Sequence, residues 1–153
     1  CNYKGRDYYS FPAAEQLSAA TVEKIQECKA GFRSPRIKDA ASRFLKESDI
    51  IYDLKNKSYD EGLTYLKTYS GIGDKVANCI LLFSMRQFDT FPVDVWVRRV
   101  MQTLYVGNDA KDADIRKFAE NKFGKLSGYA QQYLFYYARE NGIGSKTAEK
   151  STA

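Results

Sequence analysis

Leu66-Lys67-Thr68-Tyr69-Ser70-Gly71-Ile72-Gly73-Asp74-Lys75-Val76-Ala77-Asn78-Cys79-Ile80-Leu81-Leu82-Phe83 reads as the end of one helix, a tight turn and a second helix. The first helix opens at Ser58, whose spacing to Glu61 makes an S-x-x-E capping box. Leu63 and Leu66 fall one turn apart on it. Gly71 and Gly73 supply the positive φ and close backbone approach that a two-glycine hairpin needs. The second helix is predicted from about Asp74, with Val76, Ala77, Ile80 and Phe83 as its buried face. Its start leaves backbone N–H groups without helical partners at the positive end of the dipole, an anion site suited to phosphate. Lys75 stands in that first turn, where an ammonium opposes the dipole and a neutral amine is a nucleophile. A second stretch, Phe91-Pro92-Val93-Asp94-Val95-Trp96-Val97, places Asp94 to cap the next helix.

Composition narrows the chemistry. The 153 residues suffice for one domain with a core. A formal charge of +5 favours a polyanionic partner. Histidine is absent, which removes Ser-His-Asp and Cys-His nucleophile schemes and His-ligated zinc. Cys1, Cys28 and Cys79 form no C-x-x-C pair, which argues for a reducing compartment and against a disulfide framework. The sequence shows neither an apolar run long enough for a bilayer nor a signal-peptide pattern, so no membrane is expected.

Around the hairpin the pattern stays helical, and the expected fold is all-α. Tyr3 to Ser10 is expected as an extended arm. Phe11-Pro12 opens a short helix to about Leu17, with Ser10 as N-cap. Thr21 caps a second, with Val22 and Ile25 inward. Ser34-Pro35 starts a third, with Ile37, Ala40, Ala41, Phe44 and Leu45 as its apolar stripe. Phe32-Arg33 falls on the loop between those two helices. Beyond Asp94, Val97, Val100, Met101 and Leu104 make an inner stripe; Arg98 and Arg99 lie near the other face, either solvated or on phosphate. Asp112–Phe123 and Ser127–Glu140 complete the helices. Ile115, Phe118 and Ala119 point inward on the former, and Tyr133, Leu134 and Tyr137 form a core stripe on the latter. Residues 1–140 read as one domain with its hairpin at 58–84, and 141–153 as a polar tail. In that tail Gly142 to Ala148 (GIGSKTA) echoes Gly71 to Ala77. A second phosphate hairpin and a frayed tail both fit it.

Gly71-Ile72-Gly73-Asp74-Lys75-Val76-Ala77, with Asp94 of Pro92-Val93-Asp94 nineteen residues past the lysine, resembles the helix-hairpin-helix DNA glycosylase superfamily. Lysine at 75 resembles its bifunctional branch, which excises a base and nicks the strand. Phe32-Arg33, Cys79, Gln131 and Phe135 resemble the wedge and base-pocket residues of the 8-oxoguanine DNA glycosylase family. The resemblance runs from about Tyr8 to Glu140. It implies the C-terminal helical part of such an enzyme, without the N-terminal β-containing domain.

The resemblance also implies roles. Lys75 would form a Schiff base with the sugar, and Asp94 would assist it. Cys79 and Phe135 would hold the faces of a flipped purine, and Gln131 would read its Watson–Crick edge. Phe32 would wedge into the stack and Arg33 would contact the base left behind. Gly71, Gly73, Val76 and Trp96 would meet the DNA, Trp96 standing where the family commonly has histidine. A potassium or sodium ion would sit on the carbonyls of Lys67, Tyr69 and Ile72. No other cofactor is required, and three cysteines cannot hold the four-cysteine iron–sulfur cluster of some relatives. The implied partner is double-stranded DNA containing an oxidised purine, met by a monomer. The implied location is the cytoplasm (with the nucleoid, in a bacterium) or a eukaryotic nucleus. Two alternatives stay open: a non-catalytic DNA-binding helix-hairpin-helix fragment, and a single-function alkylpurine glycosylase, which would use water in place of Lys75.

Overall fold

The computed structural model describes residues 1–143. From residue 144 on, the GIGSKTA echo lies outside the described residues. Two compact units emerge: Cys1–Tyr52 with Tyr69–Gly71, and Asp53–Thr68 with Ile72 onward. No helix among the described residues is long and apolar enough to cross a membrane.

In the first unit the expected arm folds back on itself. Strands β1 (Asn2–Tyr3) and β2 (Arg6–Asp7) pair antiparallel. Lys4 and Gly5 between them both have positive φ, 50° and 74°, which suits a two-residue hairpin turn. Helix α1 (Ala14–Ala19) starts later than Phe11-Pro12 suggests, because Gln16 Oε1 accepts the Ala13 N–H at 2.9 Å and fixes the start there. Helix α2 (Val22–Gln26) begins as expected, with Thr21 Oγ1 accepting from the Lys24 N–H. Helix α3 (Ser34–Asp53) runs on through Ile50 and Ile51 and breaks its regular backbone at Glu47. Ala41 is buried on α3, and Ile37, Ala40 and Phe44 are half-buried. Leu45, at the edge of the stripe, is exposed. The ring of Tyr69 is buried, with the Arg43 guanidinium 3.9 Å from its centroid, and its hydroxyl donates to Glu47 at 3.3 Å. At Gly71 φ is +80°, and a Cβ there would strike the Arg36 side chain. Glycine is required at that point of the turn.

In the second unit helices α4 (Tyr59–Lys67) and α5 (Asp74–Phe83) pack together. The capping box forms: Glu61 Oε2 accepts from the Ser58 N–H, and Ser58 Oγ from the Glu61 N–H. The buried face of α5 is Ala77, Asn78, Leu81 and Leu82, not Val76 and Phe83, which are exposed. A polar residue explains the difference. Asn78 is buried because both ends of its amide are paired: it accepts from Tyr59 Oη at 3.0 Å and donates to the Asp74 carbonyl at 2.7 Å. Counting apolar residues alone therefore rotates the face the wrong way.

Helix α6 (Val95–Met101) runs into a wide π turn over Gln102–Val106. Val97, Val100 and Met101 are fully buried, but Leu104 is half-exposed. The π turn advances the backbone by an extra residue and carries Leu104 off the inner stripe. Helices α7 (Asp112–Phe123) and α8 (Ser127–Glu140) have the predicted bounds. Phe91, Val93, Val97, Met101, Ile115 and Ala119 form the core, with Leu134 and Phe135 of α8 packed against it. Tyr133 and Tyr137 are not core: they are 79% and 48% exposed. Gln131 and the small Ala138 take the interior positions instead, which turns the tyrosines to the opposite face.

Candidate active site

Two helix starts carry the candidate chemistry. At the start of α5, Gly73 is the N-cap and has no side chain to accept a bond from the first turn. Its φ is −99° and ψ −175°, so the backbone does not require glycine there, contrary to the expected positive φ. A Cβ at Gly73 would meet nothing within 4 Å. The residue thus leaves open space beside unpaired N–H groups at the positive end of a ten-residue helix. Lys75, in that turn, is exposed. So is Val76, whose exposure fits the DNA-facing place better than the buried face.

At the start of α6, Asp94 is the N-cap, as predicted. Its Oδ1 accepts from both the Trp96 N–H at 2.9 Å and the Val97 N–H at 2.8 Å. Its Oδ2 makes no hydrogen bond among the described residues. Trp96 is half-buried and stacks with Arg99, whose guanidinium lies 5.5 Å from the ring centroid.

Cys79, one turn after Lys75, ties the two helix starts together. Burial pushes its thiol up from the usual value; the Lys75 charge pulls it down and the Asp94 charge pushes it up further. The half-buried thiol therefore lies in the fields of both the amine and the carboxylate.

On α8, Gln131 is 4% exposed. Its Oε1 accepts from Gln132 Nε2 at 2.5 Å, and its own amide nitrogen has no partner among the described residues. A mostly buried side chain with an unused amide donor is suited to reading a hydrogen-bonding ligand. Phe135 follows at i+4, half-buried, with the Arg139 guanidinium 5.5 Å from its centroid. In the first unit, Phe32 is 69% exposed on the Gly31–Arg33 turn, and the Arg33 guanidinium lies 4.6 Å from its ring. An exposed aromatic stacked with arginine has the character of an inserting wedge.

Two ion pairs went unseen in the sequence. Lys67 Nζ pairs with Asp74 at 2.6 Å and holds that carboxyl below the usual range. Arg98, read as solvated or phosphate-bound, forks onto Asp112: Nε to Oδ1 at 2.7 Å and Nη2 to Oδ2 at 2.8 Å. Asp112 lies fourteen residues on, too far for any helical spacing to signal the pair.

A probable N-glycosylase/DNA lyase of Methanothermobacter thermautotrophicus is 39% identical over 160 residues, covering 92% of this chain and 51% of that protein. The N-glycosylase/DNA lyase of Saccharomyces cerevisiae is 33% identical, covering 86% and 44%. The crystal structure of Clostridium acetobutylicum 8-oxoguanine glycosylase/lyase, in complex with double-stranded DNA containing cytosine opposite 8-oxoG, superimposes with a TM-score of 0.85. It is 45% identical, covering 94% of this chain and 49% of that one. The chain thus spans about half the length of the curated relatives it matches. Residues 2–125 match the profile of the HhH-GPD superfamily of base excision DNA repair proteins. With that match across most of its length, and with the hairpin, the lysine and the capping aspartate in place, the chain belongs to the HhH-GPD superfamily.

Proposed function

We propose that this protein is a base-excision repair enzyme that removes 8-oxoguanine from duplex DNA and cleaves the strand through a lysine Schiff base. The observation that carries the reading is the pair of helix starts: Lys75 is exposed beside the uncapped start at Gly73, and Asp94 caps the next helix with one carboxylate oxygen left without a hydrogen bond among the described residues. The identity to glycosylase/lyases over nearly the whole chain supports the same reading.

In this mechanism the open helix start at Gly73 grips a backbone phosphate. The damaged purine is flipped out, with Phe32 filling the gap and Arg33 on the base left behind. The purine lies between Cys79 and Phe135, and the free amide of Gln131 meets its polar edge. Lys75 attacks the anomeric carbon as the base departs, and Asp94 balances the positive charge that develops on the sugar. The amine–sugar adduct opens to a Schiff base, and β-elimination cuts the strand on the 3′ side. Gly71 and Trp96 complete the DNA surface. The Lys67 carbonyl belongs to the last turn of α4, where carbonyls lack helical partners and the dipole is negative. That chemistry suits a potassium or sodium ion shared with the carbonyls of Tyr69 and Ile72, which would help hold the phosphate. The protein would act as a monomer wherever the cell keeps its DNA, residues 1–140 serving as one glycosylase domain.

The test is a duplex with a single 8-oxoguanine, assayed separately for base release and for strand cleavage. Release followed by 3′ nicking is expected. A non-catalytic DNA-binding module would retard the duplex in a gel and leave it intact.

A further inference from the structure

We propose, on the footing of the glycosylase reading, that Asp112 is a positioning residue: by clamping Arg98 it keeps the Asp94 carboxylate out of an ion pair and available to the sugar. Arg98 sits four residues after Asp94, and its N–H donates to the Asp94 carbonyl at 2.8 Å. An acid four residues before an arginine is the favoured spacing for a pair along a helix. Asp94 offers a partner atom, because both capping bonds go to Oδ1 and Oδ2 has none among the described residues. Yet the guanidinium forks onto both oxygens of Asp112, the strong bidentate geometry for this pair.

Other groups around the pair act in the same sense. Arg98 holds the Asp112 carboxyl below its usual range, with Arg116 adding to the effect. Asp112 holds Arg98 firmly protonated, and Asp94 contributes a weaker pull on the same guanidinium. Asp94 is thus within electrostatic reach of Arg98 but loses the competition for it. Were Arg98 to turn back, it would neutralise the charge that a cationic sugar requires.

The test is a rescue. Asp112→Ala should slow single-turnover base release about tenfold or more while DNA binding holds, because the freed guanidinium pairs with Asp94. Adding Arg98→Ala to it should return release to within about threefold of the parent, and Arg98→Ala alone should stay in that range. A pair that only braces the helices predicts the reverse: both single variants are impaired and the double is no better. That result, or an Asp112→Ala variant as fast as the parent, overturns the proposal. Should Asp112→Ala fail to fold, Asp112→Asn removes the charge while keeping a polar residue at the start of α7, and the same rescue applies. If the parent itself releases no base, the glycosylase reading fails, and a crystal structure of the Asp112→Ala protein still decides this inference. The Arg98 guanidinium found on Asp94 upholds it; a guanidinium left in solvent overturns it.

Discussion

Asp94→Asn separates the capping role of this carboxylate from the catalytic role proposed for it. Oδ1 accepts both capping N–H groups, at 2.9 and 2.8 Å, and asparagine keeps that oxygen. Asparagine caps about as well as aspartate, whereas alanine at an N-cap costs about 0.5–2 kcal/mol. The substitution therefore loses only the charge–dipole attraction, about 0.3–1 kcal/mol. In a chain of this size that is a melting shift of about 1–4 °C. Binding to duplex should be unchanged or tighter, since a negative charge near phosphate is removed. Base release is different, because the sugar cation loses its facing anion inside a half-buried site. Losing one such electrostatic partner costs on the order of 10²-fold or more in the chemical step. The assays are a thermal melt, a binding titration and single-turnover base release, with strand cleavage scored separately. Normal melting with unchanged release would reduce Asp94 to a helix cap and refute the reasoning.

Four further outcomes are expected. Phe135→Ala should lose base stacking of about 1–3 kcal/mol, so 8-oxoguanine release falls far more than cleavage of a preformed abasic site; equal losses would argue against a pocket role. Gly73→Ser should raise the melting temperature slightly, because serine supplies the cap that α5 lacks, yet weaken duplex binding by filling the space beside the unpaired N–H groups. Tight binding by that variant would place the phosphate elsewhere. Alkylation near neutral pH should modify the exposed Cys28 well before Cys79, whose half-buried thiol is pushed up by burial. The Asp112 carboxyl is depressed by Arg98, so its share of stability is complete above about pH 4 and is lost as pH falls through the lower folded value. Asp112→Asn should accordingly flatten the acid limb of the melting curve; an unaltered limb would mean the pair contributes nothing.

Much of this was legible in the sequence because the deciding signals are local. The Ser58/Glu61 box, the Thr21 and Asp94 caps and the bounds of α7 and α8 all depend on residues a few positions apart. The hairpin turn was legible for Gly71, where a positive φ demands glycine, but not for Gly73, whose backbone is ordinary. The misreadings share a cause: they concern which face is buried, and a partner from elsewhere in the chain decides that. Asn78 is interior because Tyr59, nineteen residues earlier, satisfies it. Leu104 is exposed because a π turn intervenes, and the tyrosines of α8 are exposed because Gln131 and Ala138 occupy the inside. Arg98 reads as either solvated or on phosphate for the same reason, since its partner is on another helix. Among the candidate site residues, Lys75 is exposed in the first turn of α5, Cys79 is half-buried one turn later and Asp94 caps α6. The pairs of Lys67 with Asp74 and of Arg98 with Asp112, which shape the charge around them, appear only in three dimensions.

The central claim is that Lys75 is the nucleophile, and reductive trapping tests it most directly. The chain is incubated with an 8-oxoguanine duplex in borohydride, and the covalent adduct is digested and mapped by mass spectrometry. Mapping matters because other amines are exposed as well, among them Lys4, Lys29 and the N-terminal amine of Cys1, which donates to the Tyr8 carbonyl at 2.6 Å. The account predicts an adduct on the peptide containing Lys75, lost in Lys75→Gln while duplex binding stays within about threefold. An adduct on Cys1 or on another lysine, or trapping that survives Lys75→Gln, would contradict it.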